Sequence, residues 1–384
     1  MITKTDFPVH STILQDPSWK GNNSMSTKHN GSHLEDTMID LGEKLFVSQL
    51  LPKLRRDPRL VDGFGQDAAV IDFAQNDTQL VFKIDRASAP VSISKGWSDS
   101  RAWGRLAVTS NCSDILATGG TPLAFMLCVC VPPNWKASEV ESIVFGCEEF
   151  CIANEVVFAG GDTKESKTPQ VIGSAVGTVH KNTALRRDGA KVGQKLVMAG
   201  PAGGFMGAYL QLEYRKDATE SQRQGWIEYL SNPTARWSEA RFINTTRIAS
   251  AAMDTSDGIF EALSVLSRNT LGISLDMRQV KFHPFAIECS ETLGVPLYNL
   301  MFGGADWNIM YAIDKVHLDK LTAPDHSGEF FVIGEFTKDG KIIAIDDRFA
   351  YEVSGPVNEQ FRARIEDMST FMDDIQKARY FMRI

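Results

Sequence analysis

The chain has 384 residues, 43% of them hydrophobic and 23% charged, with a formal net charge of -8. That length predicts two domains rather than one, and the composition is that of an ordinary globular protein. The acidic balance argues against a nucleic-acid surface, which needs a basic patch, and suits a protein that collects divalent cations.

Met1 to Leu14 has no continuous apolar core, so no signal peptide is expected. Residues 18 to 33 are polar with few core formers and read as a mobile extension. From Asp36 to Leu54 the apolar positions Ile39, Leu41, Leu45, Phe46, Leu50 and Leu51 approximate helical spacing. Strands are predicted at Ala68 to Phe73 and Leu80 to Ile84. A helix follows over Ser98 to Thr118, stopped by Gly119-Gly120 and Pro122. The apolar run Leu123 to Val131 reads as a buried strand and is too short to span a bilayer. Ser138 and Glu141 form a capping-box pattern for a helix to Asn154, and strands at Val156 to Phe158 and Val171 to His180 complete the first half. In the second half a turn at 186–193 precedes a strand at Lys195 to Ala199, and Gly-Pro-Ala-Gly-Gly (200–204) leads into a helix. Helices are predicted at Thr234 to Ala251 and Gly258 to Asn269, with strands near Ile273, at Ile309 to Ile313 and at Phe330 to Phe336. The stretch Asn358 to Arg383 looks helical, charged and peripheral. Strands and helices alternate in both halves, which gives α/β or α+β layering. The expected division is a flexible extension 1–35, a first domain 36–184, an α/β domain 185–345 and a helical extension 346–384. The six cysteines form no C-x-x-C pair and no metal-type pair with spaced histidines, so they read as reduced thiols of a cytoplasmic protein.

Acidic, glycine-bounded clusters punctuate this pattern: Gly63-Phe-Gly-Gln-Asp67, Lys83-Ile-Asp85, Asn111-Cys-Ser-Asp114, Gly160-Gly-Asp-Thr163, Asp254-Thr-Ser-Asp-Gly258 and Gly303-Gly-Ala-Asp306. Each sits where an apolar or β-branched run gives way to a turn. Several carboxylates gathered in a cleft need cations between them, and Mg²⁺ with a nucleotide's phosphates meets that need with oxygen ligands. Asn111 and Asp114 are three apart on a helix and share a face. Gly160 and Gly161 let the backbone approach a phosphate or metal closely, with a tight turn that has Asp162 as its Asx residue as the alternative. Asp254, Ser256 and Asp257 precede a helix, where capping and phosphate or metal binding are compatible. Lys83 lies two residues before Asp85 on a strand and so shares its face, as an ion-pair partner or as a cation within the site.

Together these motifs resemble the superfamily of aminoimidazole ribonucleotide synthetase, selenophosphate synthetase, the hydrogenase-maturation carbamoyl dehydratase and, closest, thiamine-monophosphate kinase. The family's Gly-x-Gly-Asp-Asp-Ala-Ala is echoed at 63–69, Asn-x-Ser-Asp at 111–114, Gly-Gly-Asp-Thr at 160–163, Leu-x-Arg-x-Gly-Ala at 185–190, Asp-x-Ser-Asp-Gly at 254–258 and Gly-Gly-Glu-Asp-Tyr at 303–307. The resemblance implies a two-domain chain whose homodimer joins strands of two first domains into a shared barrel, with ATP and Mg²⁺ as cofactors. It implies metal ligands at Asp67, Asp85, Asp114, Asp162 and Asp257, and nucleotide contacts at Asn111, Gly160, Gly161, Thr163, Arg186, Arg187, Ser256 and Gly258. Catalysis would rest on Asp67, Asp114, Asp162 and Lys83, and acceptor contacts on Arg86, Ser88, Asp306 and Trp307.

The departures fall in the site. Where the family carries Asp, Thr and Glu, this chain has Gln66, Lys83 and Ala305. The segment that in the family ends Glu-Gly-Val-His-Phe reads Arg86-Ala-Ser-Ala-Pro-Val-Ser-Ile-Ser94. The leading expectation is ATP- and Mg²⁺-dependent phosphoryl transfer to a small molecule other than thiamine monophosphate. An ATP-driven cyclase or dehydratase acting through a phosphorylated amide or carbonyl oxygen is the second, and a degenerate nucleotide-binding partner protein is the third.

Overall fold

The computed structural model describes residues 45, 48–49, 51–53, 60–61, 66–72, 77–267, 270–322, 328–355 and 380–384. The expected helix from Asp36 and the Gly63 to Gly65 part of the first motif lie mainly outside them.

Two sheets organise the chain. The first contains β1 (Ala69–Ile71), β2 (Thr78–Ala87), β3 (Thr121–Val131), β4 (Val157–Glu165) and β5 (Gln170–His180), in the order β1-β2-β5-β3-β4. All neighbours are antiparallel except β3 and β4. Side chains alternate across a strand, and in β2 the odd positions Gln79, Val81 and Ala87 are buried while Phe82, Ile84 and Arg86 point outward. The buried face is covered by α1 (Arg101–Ala117) and α2 (Ala137–Ala153). The outward face is strongly apolar: Ile84 is 69% exposed, Val157 63%, Met126 52% and Phe82 40%.

The second sheet runs β13-β12-β11-β8-β10-β6-β9-β7, built from β6 (Lys195–Ala199), β7 (Ala249–Asp254), β8 (Gly272–Asp276), β9 (Ile309–Ile313), β10 (Phe330–Thr337), β11 (Ile342–Ile345), β12 (Ala350–Val353) and β13 (Phe381–Arg383). On one side it packs against α3 (Gly204–Tyr214), α4 (Glu220–Ser231), α6 (Ile259–Ser267) and α7 (Pro284–Leu293), and on the other against α5 (Trp237–Thr246).

α1 lies between the sheets. Its Ala107, Val108, Cys112 and Ile115 belong to the core of the first sheet, while Leu116 and Ala117 join a core with Val197, Ile243 and Tyr311 of the second half. A helix buried on more than one side has no solvent face for its polar residues, so Asn111, Ser113 and Asp114 are buried with the rest.

The layered α/β fold agrees with the sequence reading, with local corrections. The pattern Ser138/Glu141 makes no capping box: α2 begins at Ala137 behind Lys136, without a side-chain cap bond. The predicted helix 234–251 is two elements, α5 and then β7, because the Ala-Ser-Ala-Ala run is a strand hydrogen-bonded to β9. Gly160-Gly-Asp-Thr163 lies inside the edge strand β4, not in a turn after it. In the segment assigned to a C-terminal helical extension, β12 and β13 instead extend the second sheet. Residues 356–379 lie outside the described ones.

Candidate active site

Three carboxylates converge where α1 meets the second sheet. Asp67 precedes β1, Asp114 lies in the last turn of α1 and Asp254 ends β7, and one oxygen of each lies within 4.8 Å of the others. All three residues are buried. Two cations complete the group. Lys83 of β2 places Nζ 2.5 Å from Asp114 Oδ2, and the Arg187 guanidinium, from the turn before β6, pairs with Asp67. The backbone N–H of Arg187 donates to Gln66 Oε1 at 3.0 Å, which pins that turn. Ser113 Oγ donates to Asp254 Oδ2 at 2.7 Å and Ser256 Oγ to Asp254 Oδ1 at 2.9 Å, so α1 holds the end of β7 directly.

Burial and mutual repulsion set the protonation of the group. Burial pushes the Asp114 carboxyl well above the usual range, the charges of Asp254 and Asp67 push the same way, and Lys83 opposes them. Asp254 is raised to about 6 by burial and then by Asp67, against the hydrogen bonds of Ser113 and Ser256. For Lys83, burial favours the neutral amine, but the charge and hydrogen bond of Asp114, with Asp85 and Asp67 behind them, outweigh it and raise its pKa. Arg187 is raised despite burial by its bond to Asp67. Hard oxygen donors at this spacing, held at high negative potential, fit a divalent cation such as Mg²⁺.

The structure separates the other sequence-derived site residues from this group. Asp85 shares the α1-facing side of β2 with Lys83 but accepts the N–H of Arg86 at 2.7 Å. Asp162 is exposed on β4, where it accepts the N–H of Thr163 at 2.9 Å and lies 3.6 Å from Lys164 Nζ. β4 is three strands from β2 in the sheet order, roughly 14 Å at the usual inter-strand spacing. Asp257 is exposed, and it is Asp254, its neighbour in the motif, that joins Asp67 and Asp114.

Asn111 donates its amide to Ala107 O at 2.9 Å, while its buried Oδ1 has no hydrogen-bond partner among the described residues. It packs beneath Gly173 of β5, where a Cβ would fall 2.4 Å from Asn111 Nδ2. Gly160 (φ +92°) and Gly258 (φ +95°) have left-handed backbone that favours glycine. Gly161 and Thr163 are exposed in β4. Arg186 is engaged bidentately by Asp188 at 2.8 and 2.9 Å.

Of the acceptor-side residues, Arg86 near the end of β2 and Ser88 just after it are exposed. Asp306 is buried and accepts the N–H groups of Gly203 and Phe205 at 2.6 and 2.7 Å, at the start of α3. Trp307 is 8% exposed. Two residues of the site were not assigned to it from sequence, Ser113 and, as a ligand, Asp254. The signal for Asp254 was present: it closes the apolar run from Ile248 to Met253, which is a strand and not the end of a helix.

Residues 65–179 match the family described as AIR synthase related protein, N-terminal domain. Over these residues, which hold most of the first sheet with α1 and α2, the chain is similar to AIR synthase-related proteins. It is 27% identical over 286 residues to a thiamine-monophosphate kinase of Pyrococcus horikoshii, covering 74% of this chain and 86% of that one. A thiamine-monophosphate kinase of Aquifex aeolicus is 24% identical over 281 residues, covering 72% and 85%. Among solved structures, AaThiL complexed with AMPPCP and TMP superposes with a TM-score of 0.69 at 21% identity, over 81% of this chain and 96% of that one. E. coli HypE, a hydrogenase maturation protein, superposes with a TM-score of 0.58 at 15% identity, over 83% and 99%.

Proposed function

We propose that the protein is an ATP- and Mg²⁺-dependent, kinase-like phosphotransferase that acts on a small molecule. The observation that carries this reading is the convergence of Asp67, Asp114 and Asp254 with Lys83 and Arg187 where α1 meets the second sheet. It is supported by the kinase relatives at 24 to 27% identity across most of their length. Bound Mg²⁺ would neutralise phosphate charge and stabilise the charge of the transferred phosphoryl. Asp67, Asp114 and Asp254 would hold it, with Ser113 and Ser256 fixing the orientation of Asp254. Arg187 and Lys83 would supply positive charge for the phosphates, an electrostatic contribution that in phosphoryl transfer accounts for most of catalysis.

The acceptor is, on this reading, not thiamine monophosphate. A cationic ring is disfavoured by a lysine on the strand face that carries Asp85. In the segment 303–307, Ala305 offers no carboxylate and Asp306 is committed to the start of α3. The test is to follow ATP consumption with thiamine monophosphate and with a panel of carboxylates, amides and sugar phosphates. Conversion of thiamine monophosphate at kcat/KM above about 10⁴ M⁻¹s⁻¹, within the ordinary enzymatic range, would refute the acceptor argument.

The working unit is a homodimer. Phe82, Ile84, Met126 and Val157 form an exposed apolar sheet face, and such a face on a folded chain marks an association surface. A second copy of the first sheet covers it best, closing a barrel across more than about 2,000 Å² of buried surface. Among the described residues no helix is long and apolar enough to cross a membrane.

A further inference from the structure

The carboxylate group carries its own cations, and they differ in kind. Arg187 belongs to the frame: its backbone N–H is fixed by Gln66, its guanidinium by Asp67, and its Nε is buried. Lys83 does not. Its side chain is no more exposed than that of Arg187, but among the described residues its ammonium is held by Asp114 alone, at Oδ2 2.5 Å away. A carboxylate oxygen can direct a given lone pair at an ammonium or at a metal ion, not at both.

Charge gives the same result. Three ionised carboxylates with Arg187 alone carry two net negative charges, the complement of one divalent ion. With Lys83 added, one negative charge remains, so each divalent ion placed among the carboxylates meets one unit of attraction less, before any phosphate charge is counted. Strand alternation forces Lys83 into this position, because residue 83 shares the α1-facing side of β2 with Val81 and Asp85.

We propose that the Lys83 ammonium occupies one cation position of the Asp67, Asp114 and Asp254 group, so that the chain binds its nucleotide with one fewer divalent ion than the same carboxylates take without it. This rests on the Mg²⁺-nucleotide reading above. A lysine is a compact, strongly hydrated point charge with three donors. It can neutralise a phosphate and hold Asp114 in place, but it cannot bridge a carboxylate to two phosphate oxygens as an octahedral ion does. Lys83 is in this sense a specificity-determining residue that sets the metal stoichiometry of the site.

The experiment counts bound Mn²⁺ per chain by electron paramagnetic resonance in the presence of saturating AMPPCP, for the wild type, Lys83→Met, Lys83→Gln and Lys83→Arg. Melting curves establish that each variant is folded, and the two neutral variants guard against failure of either one. The expected result is one more Mn²⁺ per chain in Lys83→Met and Lys83→Gln than in the wild type, with Lys83→Arg at the wild-type count. Equal counts in the wild type and a folded neutral variant, with AMPPCP bound in both, would overturn the role of Lys83 alone. A wild type that takes up neither AMPPCP nor Mn²⁺ would overturn the parent reading as well. Mass-spectrometric mapping of amine acetylation adds a readout on the unaltered protein. Lys83 stays protected when Mn²⁺ and AMPPCP bind if it keeps its place, and becomes labelled if the ions displace it, which would also overturn the inference.

Discussion

Removing one charge from the carboxylate group stabilises the metal-free protein while weakening its proposed activity, and Asp254→Asn is the variant in which both effects are measurable. The Asp254 carboxyl is raised from 3.8 to about 6, chiefly by burial and by Asp67. A shift of that size corresponds to a penalty on the order of 3 kcal/mol for the ionised form in the folded state. Between about pH 4 and 6 the folded protein binds the proton that the unfolded chain has lost, so stability falls as pH rises through that window, at about 1.4 kcal/mol per pH unit for one group. Above about 6 the penalty is fully present. Asparagine keeps an acceptor for Ser113 or Ser256 but gives up one charged hydrogen bond, which returns about 1 to 2 kcal/mol. The net expectation at pH 7.5 in EDTA is a gain of about 1 to 2 kcal/mol, and a pH slope smaller by one proton's worth between pH 4 and 6. Urea titrations of both proteins across pH 4 to 8 measure this. Identical slopes, or a variant less stable than the wild type at pH 7.5, would refute the electrostatic reading of the group.

Other expectations can be checked in parallel. Asp114→Asn lowers ATP turnover at least about a hundredfold at saturating Mg²⁺, a loss of several kcal/mol of transition-state stabilisation, and near-normal steady-state rates would remove Asp114 from the site. Ile84→Glu, on the exposed apolar face, converts a dimer to a monomer in sedimentation at micromolar concentration; a wild type that is already monomeric there contradicts the barrel. Asp306→Ala removes the acceptor of two N–H groups at the start of α3 and lowers stability by about 2 kcal/mol, seen as a lower midpoint in denaturant, whereas an unchanged midpoint would show that those bonds contribute nothing.

The elements that position the site were largely readable because their patterns have local causes. α1 was bounded by its glycine and proline stop signals and β3 by an apolar run. What resisted reading depended on contacts distant in sequence. Ala249 to Ala252 carries the small residues of a helix former, yet β7 pairs with β9 and lies where α1 comes close, and small side chains allow that approach. Missing that strand hid Asp254, since its carboxylate reaches Asp67 and Asp114 only from the end of β7. Gly160-Gly-Asp-Thr163 looked like a turn because paired glycines permit one, but pairing with β3 keeps it extended and carries Asp162 to the sheet edge. Lys83 was placed on the correct face by period-two counting, whereas its partner, Asp114 and not Asp85 two residues away, required the packing of α1 on β2.

The most direct test of the central claim is anomalous diffraction at the manganese edge from crystals grown with AMPPCP and Mn²⁺. The account predicts a manganese peak bonded to carboxylate oxygens of Asp67, Asp114 or Asp254, with the analogue's phosphates on its open side. Manganese and phosphates located elsewhere in the chain, with the Lys83–Asp114 and Arg187–Asp67 pairs intact and no ion among the three carboxylates, would contradict it.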